Sequence, residues 1–127
     1  MSDEFRPTIE ALTSRMLNKR LFVVIWKSFG HPDLIKRDLD KHLQYMIGLE
    51  KKGVLFASGP LTAAAGAPAG DGLTILRAAI ADAARTIAST DPFVVNKLRS
   101  FEVREWTLME GTFGVKVNFS DQSLDIA

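Results

Sequence analysis

The stretch DLIKRDLDKHLQYMIGLEKKGVLFASGP, residues 33–60, decides the fold because it contains a helix, a strand and a turn in direct succession. At about 100° of rotation per helical residue, its apolar side chains fall on one stripe that consists of Ile35, Leu39, Met46 and Leu49. His42 lies at the centre of this stripe, about 20° from Ile35 around the helix axis. An imidazole on the side that faces the protein interior needs a partner, because burying it without a hydrogen bond costs about 1–3 kcal/mol. His42 is therefore the first candidate functional residue.

The helix in this stretch has clear start and stop signals. Pro32 suits the first turn of a helix, and the carboxylate of Asp33 suits its positive end. Gly53 favours the left-handed conformation that ends a helix. At a rise of about 1.5 Å per residue, roughly nineteen residues span about 28 Å. This length is enough to cross a small sheet.

The strand before this helix indicates a second layer. Residues 20–29 (RLFVVIWKSF) contain six consecutive apolar side chains, from Leu21 to Trp26, which predicts a strand covered on both faces. One layer of helices covers only one face, so the other face needs a different cover. Upstream, residues 7–18 predict a short extra helix that Pro7 opens.

The remaining elements follow in order along the chain. We predict strands at Val54–Ser58, Leu73–Ala78 and Leu98–Leu108, a turn at Gly59-Pro60, and a second helix at Ile80–Ser89. Residues 61–72 (LTAAAGAPAGDG) predict a long, mobile loop, which is either a functional lid or a plain insertion. The alternation in residues 113–119 predicts a fifth, half-buried strand, and residues 120–127 are expected to be irregular.

The order β-α-β-β-α-β is typical of a ferredoxin-like fold in the α+β class. We predict a single domain at residues 1–127, with a core at residues 20–110, an N-terminal helical extension at residues 1–19 and a C-terminal strand extension at residues 111–127. The helices then lie on one face of an antiparallel sheet. The apolar first strand indicates that the other face packs against a second sheet, so we expect a homodimer or a higher homo-oligomer.

The composition excludes several classes of function. Sixteen basic and fifteen acidic residues leave a net charge of +1, and no basic cluster alternates with aromatic residues, so nucleic acid is not an expected partner. The absence of cysteine excludes disulfides, thiolate catalysis and sulfur-ligated metal sites. No apolar run approaches about 18 residues, and the start MSDEFRPTIE is too polar for a secretory signal. We therefore expect a cytoplasmic protein with no membrane partner.

Motifs for metals, phosphates and serine hydrolysis do not occur in recognisable form. His31 and His42 lack a known metal-ligand spacing relative to the carboxylates, and no phosphate-binding glycine loop opens a helix. No nucleophile elbow surrounds Ser58, which argues against a serine hydrolase. We expect no metal and no cofactor.

Several motifs together resemble the YCII-related (YciI-like) family: the histidine-bearing helix, GVLFASGPL at residues 53–61, GLTILRAA at 72–79, DPF at 91–93, and a strand that ends in EW at 105–106. The resemblance covers about residues 20–110. It implies a dimeric α+β barrel of ferredoxin-like subunits, and it places the family's proposed catalytic histidine and aspartate at His42 and Asp91. Related activities include dehydrochlorination of a chlorinated hydroxyhydroquinone, and the fold is similar to that of muconolactone isomerase. The resemblance thus implies a lyase or an isomerase.

The resemblance implies a His-Asp dyad, in which Asp91 orients His42 and the imidazole moves a proton near neutral pH. A structural alternative exists for each residue. His42 is then a core histidine bonded to Asp38, one turn earlier, and Asp91 is the cap of a short turn that begins at Pro92. The sequence leaves both alternatives open.

The Ser58-Gly59-Pro60 motif predicts part of a pocket. A hydroxyl group from Ser58 and the backbone N–H of Gly59 are candidate donors to a substrate oxygen, with Pro60 and Phe93 as further substrate-binding residues. The structural alternative is a turn that only requires glycine.

Three functions are compatible with these residues. The first is a small enzyme without a cofactor that uses the His-Asp dyad for proton transfer on a small aromatic or lactone-like molecule. The second is a non-catalytic ligand-binding or regulatory protein of the same family. The third, a haem-binding or oxygenase relative, predicts a coloured protein.

Overall fold

The structure is a computed structural model that describes residues 6–64, 66 and 68–127. The chain divides into two units: Arg20–Thr107 is one, and Met1–Lys19 with Leu108–Ala127 is the other. The helices are α1 (Ile9–Thr13), α2 (Pro32–Lys51), α3 (Ala81–Ser89) and α4 (Pro92–Val95). The strands are β1 (Lys19–Ser28), β2 (Leu55–Thr62), β3 (Pro68–Leu76), β4 (Arg99–Leu108), β5 (Val115–Asn118) and β6 (Ser123–Ile126).

The larger unit contains a four-stranded sheet in the order β2-β3-β1-β4. Strand β3 pairs antiparallel with both β1 and β2, and helix α2 connects β1 to β2 across the sheet. The predicted α+β fold with the order β-α-β-β-α-β is confirmed, with the short α4 as an addition between α3 and β4.

The core of this unit lies between the sheet and the helices. On β1, alternate side chains point toward the helices, because successive residues of a strand face opposite sides. These are Phe22, Val24 and Trp26, and they pack against Met46 and Leu49 of α2, Leu76 of β3, and Ala84 and Ala88 of α3. On the other face of β1, Val23 and Ile25 are only half-buried. A single chain therefore covers one face of β1 completely and the other in part.

Hydrogen bonds of buried or half-buried polar groups fasten the helices to one another. The Tyr45 hydroxyl of α2 donates to the carbonyl oxygen of Ile87 in α3 and lies 2.6 Å from Thr90 Oγ1. Burial raises the pKa of the Tyr45 hydroxyl, although the bond with Thr90 opposes the shift. The hydroxyl thus remains a proton donor that holds α2 against α3.

The prediction of a long mobile loop at residues 61–72 is wrong, because strands occupy most of this segment. Strand β2 continues to Thr62 and β3 begins at Pro68, so only residues 63–67 connect them, of which 65 and 67 lie outside the described residues. The small residues that indicated a loop are compatible with strand pairing, because the ladder uses backbone groups. Proline is tolerated at both of its positions: Pro60 lies in the edge strand β2, and Pro68 is the first residue of β3.

The smaller unit corrects two further predictions. Helix α1 covers only Ile9–Thr13 of the predicted residues 7–18. It begins where Thr8 Oγ1 accepts a bond from Ala11 N, at 3.0 Å. Asn18, with φ at 52°, closes the following turn through bonds to the carbonyl oxygens of Thr13 and Met16.

Residues 120–127 are not irregular, since β6 pairs antiparallel with β5 over four residue pairs. The turn between them places Gln122 at φ 56°, and Asp121 Oδ1 accepts a bond from Ser123 N at 3.0 Å. The predicted fifth strand exists but is shorter than residues 113–119 and is exposed rather than half-buried. Val115 and Val117 are 55% and 53% exposed.

Candidate active site

A cavity of about 480 Å³ lies between α2 and the sheet. It is lined by five of the six residues predicted for the site, which are His42, Ser58, Gly59, Pro60 and Phe93. The sixth, Asp91, lies directly behind His42 and is fully buried. The lining residues that did not figure in the sequence-based site include Trp26, Asp71, Thr74 and Arg99. The structure thus brings the predicted residues together around one cavity.

His42 contacts Asp91 across 49 residues of sequence: its Nδ1 lies 2.7 Å from Asp91 Oδ1. The His42 side chain is 13% exposed and that of Asp91 is 0% exposed. An ionised carboxylate only accepts hydrogen bonds, so it favours the tautomer with the proton on Nδ1. Nε2 is then the nitrogen with a free lone pair.

Asp91 combines a structural position with this contact. It occupies the N-cap position of α4, and its backbone carbonyl accepts bonds from Val94 N at 2.9 Å and Val95 N at 3.0 Å. Its carboxylate, however, makes no capping hydrogen bond. The side chain is directed toward His42 instead, so the backbone alone serves the helix.

Asp38 is not the partner of His42. It accepts two bonds from its neighbour Arg37, both at 3.0 Å, and a third from Asn96 Nδ2 at 2.7 Å. Because Asn96 is the C-cap residue of α4, this contact fastens α4 to α2. The bonds from Arg37 and then from Asn96 lower the pKa of the Asp38 carboxyl to about 2.

We expect the Asp38→Asn variant to lose the part of the folding free energy that depends on the ionised Asp38 carboxylate. The folded-state pKa of Asp38 is below its unfolded value of about 3.9, so its contribution is present above about pH 4 and is lost as the pH falls toward 2. Thermal unfolding between pH 7 and pH 2 should show a lower midpoint for Asp38→Asn at neutral pH and a gap that narrows in acid. Asp40→Asn, on the exposed side of α2, is the matched control, which keeps the wild-type pH dependence. A gap that is constant from pH 7 to pH 2 would contradict this assignment.

Phe93 holds the plane of the imidazole. Its ring is stacked on that of His42, with centroids 4.5 Å apart and planes inclined by 20°. Phe93 is 3% exposed. A buried ring in this position restricts rotation of the imidazole about the Cβ–Cγ bond of His42. The contact with Asp91 and the stack on Phe93 together fix the orientation of His42.

Arg99 is a buried cation beside this pair, and sequence reasoning missed it. The residue is 7% exposed, and its Nη1 lies 3.8 Å from Asp91 Oδ2, which is too long for a hydrogen bond. Burial lowers the pKa of the Arg99 guanidinium, while the carboxylates of Asp91 and Asp71 oppose this shift. The signal that identifies it is strand periodicity, because Arg99 shares the inward face of β4 with Phe101 and Val103.

A chain of hydrogen bonds joins the sheet to the cavity. Trp26 Nε1 donates to Thr74 Oγ1 at 2.8 Å, and Thr74 Oγ1 lies 2.7 Å from Ser58 Oγ. Either hydroxyl can donate in this second bond, because Thr74 Oγ1 has a further lone pair beside the one that accepts from the indole. When Thr74 donates, the Ser58 proton is free for a ligand in the cavity.

The prediction of a turn at Gly59-Pro60 is wrong, because β2 continues through both residues. Gly59 pairs with Leu73, and Pro60 pairs with Gly72 of β3. Strand pairing with β3 outweighed the local turn preference of the Gly-Pro dipeptide. Both residues nevertheless line the cavity, as does Ser58.

Residues 6–64, 66 and 68–127 contain no group of three or more His, Asp or Glu side chains that could hold a metal ion. Among the helices of that same part of the chain, none is long and apolar enough to cross a membrane.

Comparisons with known proteins agree on the type of domain. The family model of the YCII-related domain matches residues 22–107. Among solved structures, the chain is similar to 5-chloro-2-hydroxyhydroquinone dehydrochlorinase from Burkholderia phenoliruptrix in complex with 2,5-dihydroxybenzoquinone. The TM-score is 0.56 at 22% sequence identity, over 68% of this chain and 93% of that one, so the likeness concerns the fold. A search of curated proteins found no match.

Proposed function

The chain belongs to the YCII-related domain family, and from this membership and the geometry of the cavity we propose that it is a small enzyme that transfers protons on a single-ring aromatic or lactone-like molecule. The observation that carries the proposal is the 2.7 Å contact between the cavity-lining imidazole of His42 and the buried carboxylate of Asp91. A neutral imidazole held by a carboxylate is suited to general acid–base catalysis near neutral pH.

In this mechanism Asp91 accepts a hydrogen bond from the Nδ1–H group of His42 and thereby leaves Nε2 as the base. Nε2 takes a proton from a hydroxyl group of the substrate: the O–H bond breaks, the N–H bond forms, and the ring holds the electron pair as a phenolate or enolate. In an isomerisation the imidazolium returns this proton to a ring carbon. Asp91 stabilises the imidazolium in the interval through the same contact.

Loss of hydrogen chloride uses the same groups. Protonation of the chlorine-bearing carbon by the imidazolium gives a keto tautomer. Nε2 then takes the proton of a second hydroxyl group, and the electron pair of that O–H bond forms a C=O bond. The ring electrons shift toward the chlorine-bearing carbon, and chloride leaves with the electron pair of the C–Cl bond. The net change is loss of one proton and one chloride, with no oxidant or reductant.

Ser58 Oγ and the backbone N–H of Gly59 are the proposed donors to a ring oxygen of the substrate, and Pro60 and Phe93 complete the contact surface.

A screen of compounds tests the function. Hydroxyhydroquinones with and without chlorine, simple phenols and unsaturated lactones are incubated with the purified protein, and their absorption spectra and chloride release are followed. We expect turnover of at least one hydroxylated ring compound in the absence of any added cofactor. Binding without conversion across the panel would contradict the catalytic proposal and indicate a ligand-binding protein.

We also propose that the protein is a homodimer in which two sheets pack face to face. The face of the sheet opposite the helices carries Val23 and Ile25 of β1, paired with Ile75 and Leu73 of β3. Val23 and Ile25 are half-buried and Leu73 is 36% exposed in a single chain. An apolar sheet face of this kind favours association, because its burial removes apolar area from water. A cytoplasmic location stays a prediction from the sequence.

We expect Ile25→Asp to convert the dimer into a monomer, since an interface of two sheets cannot accommodate a carboxylate from each copy without a partner. Light scattering coupled to size-exclusion chromatography measures the mass directly. Ile80→Asp is the matched control, because Ile80 is 57% exposed at the start of α3, on the helix layer. A wild-type protein of monomer mass, or an Ile25→Asp variant of unchanged dimer mass, would rule this interface out.

A further inference from the structure

We propose that Arg99 is the anion-binding residue of the cavity and that its guanidinium receives an ionised hydroxyl oxygen of a ring compound, a phenolate or an enolate. This inference rests on the proposed function, because it narrows the ligand class of the same cavity. Arg99 of β4 lines the same cavity as Phe93 and His42, and its Cζ lies 5.1 Å from the centroid of the Phe93 ring. A ligand in this cavity has access to the guanidinium and to the groups that would move its proton.

The first observation is an unused donor. Nη1 of Arg99 has no hydrogen-bond partner among the described residues, and neither has Asp91 Oδ2, 3.8 Å away. The remaining identified bond of the guanidinium joins Nε to the carbonyl oxygen of Gly70 at 3.2 Å. A buried guanidinium normally uses its donors fully, so a guanidinium with an unused donor that lines a cavity indicates a site for an acceptor that the protein does not supply.

The second observation is that the guanidinium is held in place. The rings of Trp26 and Phe93 each lie 5.1 Å from Arg99 Cζ, within the range of cation–π contact. A Cβ atom at Gly72 would lie 2.6 Å from Arg99 Nη2, so the glycine leaves the space that the guanidinium occupies. These contacts hold the guanidinium of Arg99 in position, so a ligand has to come to it.

The third observation is the balance of charge. With His42 neutral, the positive charge of Arg99 is opposed by the carboxylate of Asp91. When a ligand hydroxyl gives its proton to His42, the O–H bond breaks and an N–H bond forms. Asp91 is then the counter-ion of the imidazolium through the 2.7 Å contact, and Arg99 becomes the counter-ion of the ligand oxygen. The other carboxylate near Arg99, Asp71, is already engaged by the backbone N–H of Ser28 and by Lys27.

Two quinones of similar shape test the inference. 2,5-Dihydroxybenzoquinone is a vinylogous acid that is ionised at neutral pH, whereas 2,5-dimethoxybenzoquinone cannot ionise. Calorimetric titration of the full-length wild type should show tighter binding of the ionised quinone by at least about 10-fold. The Arg99→Gln variant should lose on the order of 10- to 100-fold in affinity for the ionised quinone and should bind the neutral one unchanged.

Gly72→Ala is a second variant, which keeps the charge of Arg99 but displaces its guanidinium. Like Arg99→Gln, it should weaken the binding of the ionised quinone. Two controls match these changes. Arg85→Gln removes the same charge from a side chain that is 53% exposed on α3, and Gly48→Ala adds a methyl group where no atom lies within 4 Å. Both should bind the two quinones as the wild type does. Thermal unfolding of every variant reports whether it is folded.

The inference is overturned if wild type binds both quinones equally well or not at all, or if folded Arg99→Gln retains the preference for the ionised one. Should Arg99→Gln fail to fold, an unchanged preference in Gly72→Ala overturns it. The outcome is separable from that of the proposed function. An Arg99-dependent preference for the ionised quinone in a protein that converts no compound supports the anion site and contradicts catalysis. Turnover in a protein that binds the two quinones equally well supports catalysis and contradicts the anion site.

Discussion

We expect the His42→Gln variant to lose roughly 100- to 10,000-fold in kcat while it remains folded, because the imidazole is the proposed acid and base of the reaction. Glutamine has a similar length and can still accept or donate one hydrogen bond toward Asp91, so the buried carboxylate keeps a partner. The measurement is steady-state turnover of the best compound from the screen, with thermal unfolding to compare stability.

His31→Gln is the matched control, since the other histidine of the chain is exposed. Its Nδ1 accepts a bond from Asp33 N at 3.1 Å as the N-cap of α2. Replacing a cap costs about 1 kcal/mol of stability and should leave turnover unchanged. Equal turnover in wild type and in folded His42→Gln would remove His42 from the mechanism, and the cavity would then have to act through other groups.

The second large effect is expected at Asp91. The Asp91→Asn variant should lose on the order of 100- to 10,000-fold in kcat, because the neutral amide neither fixes the Nδ1 tautomer nor stabilises the imidazolium. The amide is close to isosteric with the carboxylate, so the stacking of Phe93 on His42 should persist. Nitrogen-15 chemical shifts of the His42 ring distinguish the two tautomers directly, and they should differ between wild type and variant.

Asp82→Asn is the control for this change, because its side chain is 83% exposed and pairs with Arg85 on α3. It should keep both the turnover and the tautomer of His42. If Asp91→Asn keeps the wild-type nitrogen shifts and the wild-type turnover, the contact between Asp91 and His42 is structural only.

Sequence periodicity identified His42 because a polar ring in the middle of an apolar helical stripe stands out from its neighbours. The same reasoning applied to β4 would have found Arg99, whose strand neighbours on the inward face are Phe101 and Val103. Asp91 could not be found in this way. An Asp before a Pro is typical of a helix cap, and only the fold brings its carboxylate within 2.7 Å of an imidazole 49 residues away. The resemblance to the YCII-related family identified Asp91 as a candidate, and the family match at residues 22–107 confirms that resemblance.

The errors in the strands share one physical origin, which is that strand pairing depends on backbone groups that the side chains do not reveal. Residues 61–72 are small and rich in Gly, Ala and Pro, yet Leu61 pairs with Asp71 and Pro60 with Gly72. In the same way β6 has only four residues, and β5 makes it a strand by pairing with it. Local preference predicts such segments poorly when a partner strand decides their conformation.

The two uses of residue 91 have a consequence for the history of such proteins. Because the backbone carbonyl of Asp91 and the ring of Pro92 begin α4, the helix does not depend on the carboxylate. A single nucleotide change converts an Asp codon into an Asn codon. Under the proposed mechanism, a lineage can therefore exchange catalysis for simple ligand binding in one mutational step and keep the helix, so that an enzyme and an inactive binder are close neighbours in sequence space.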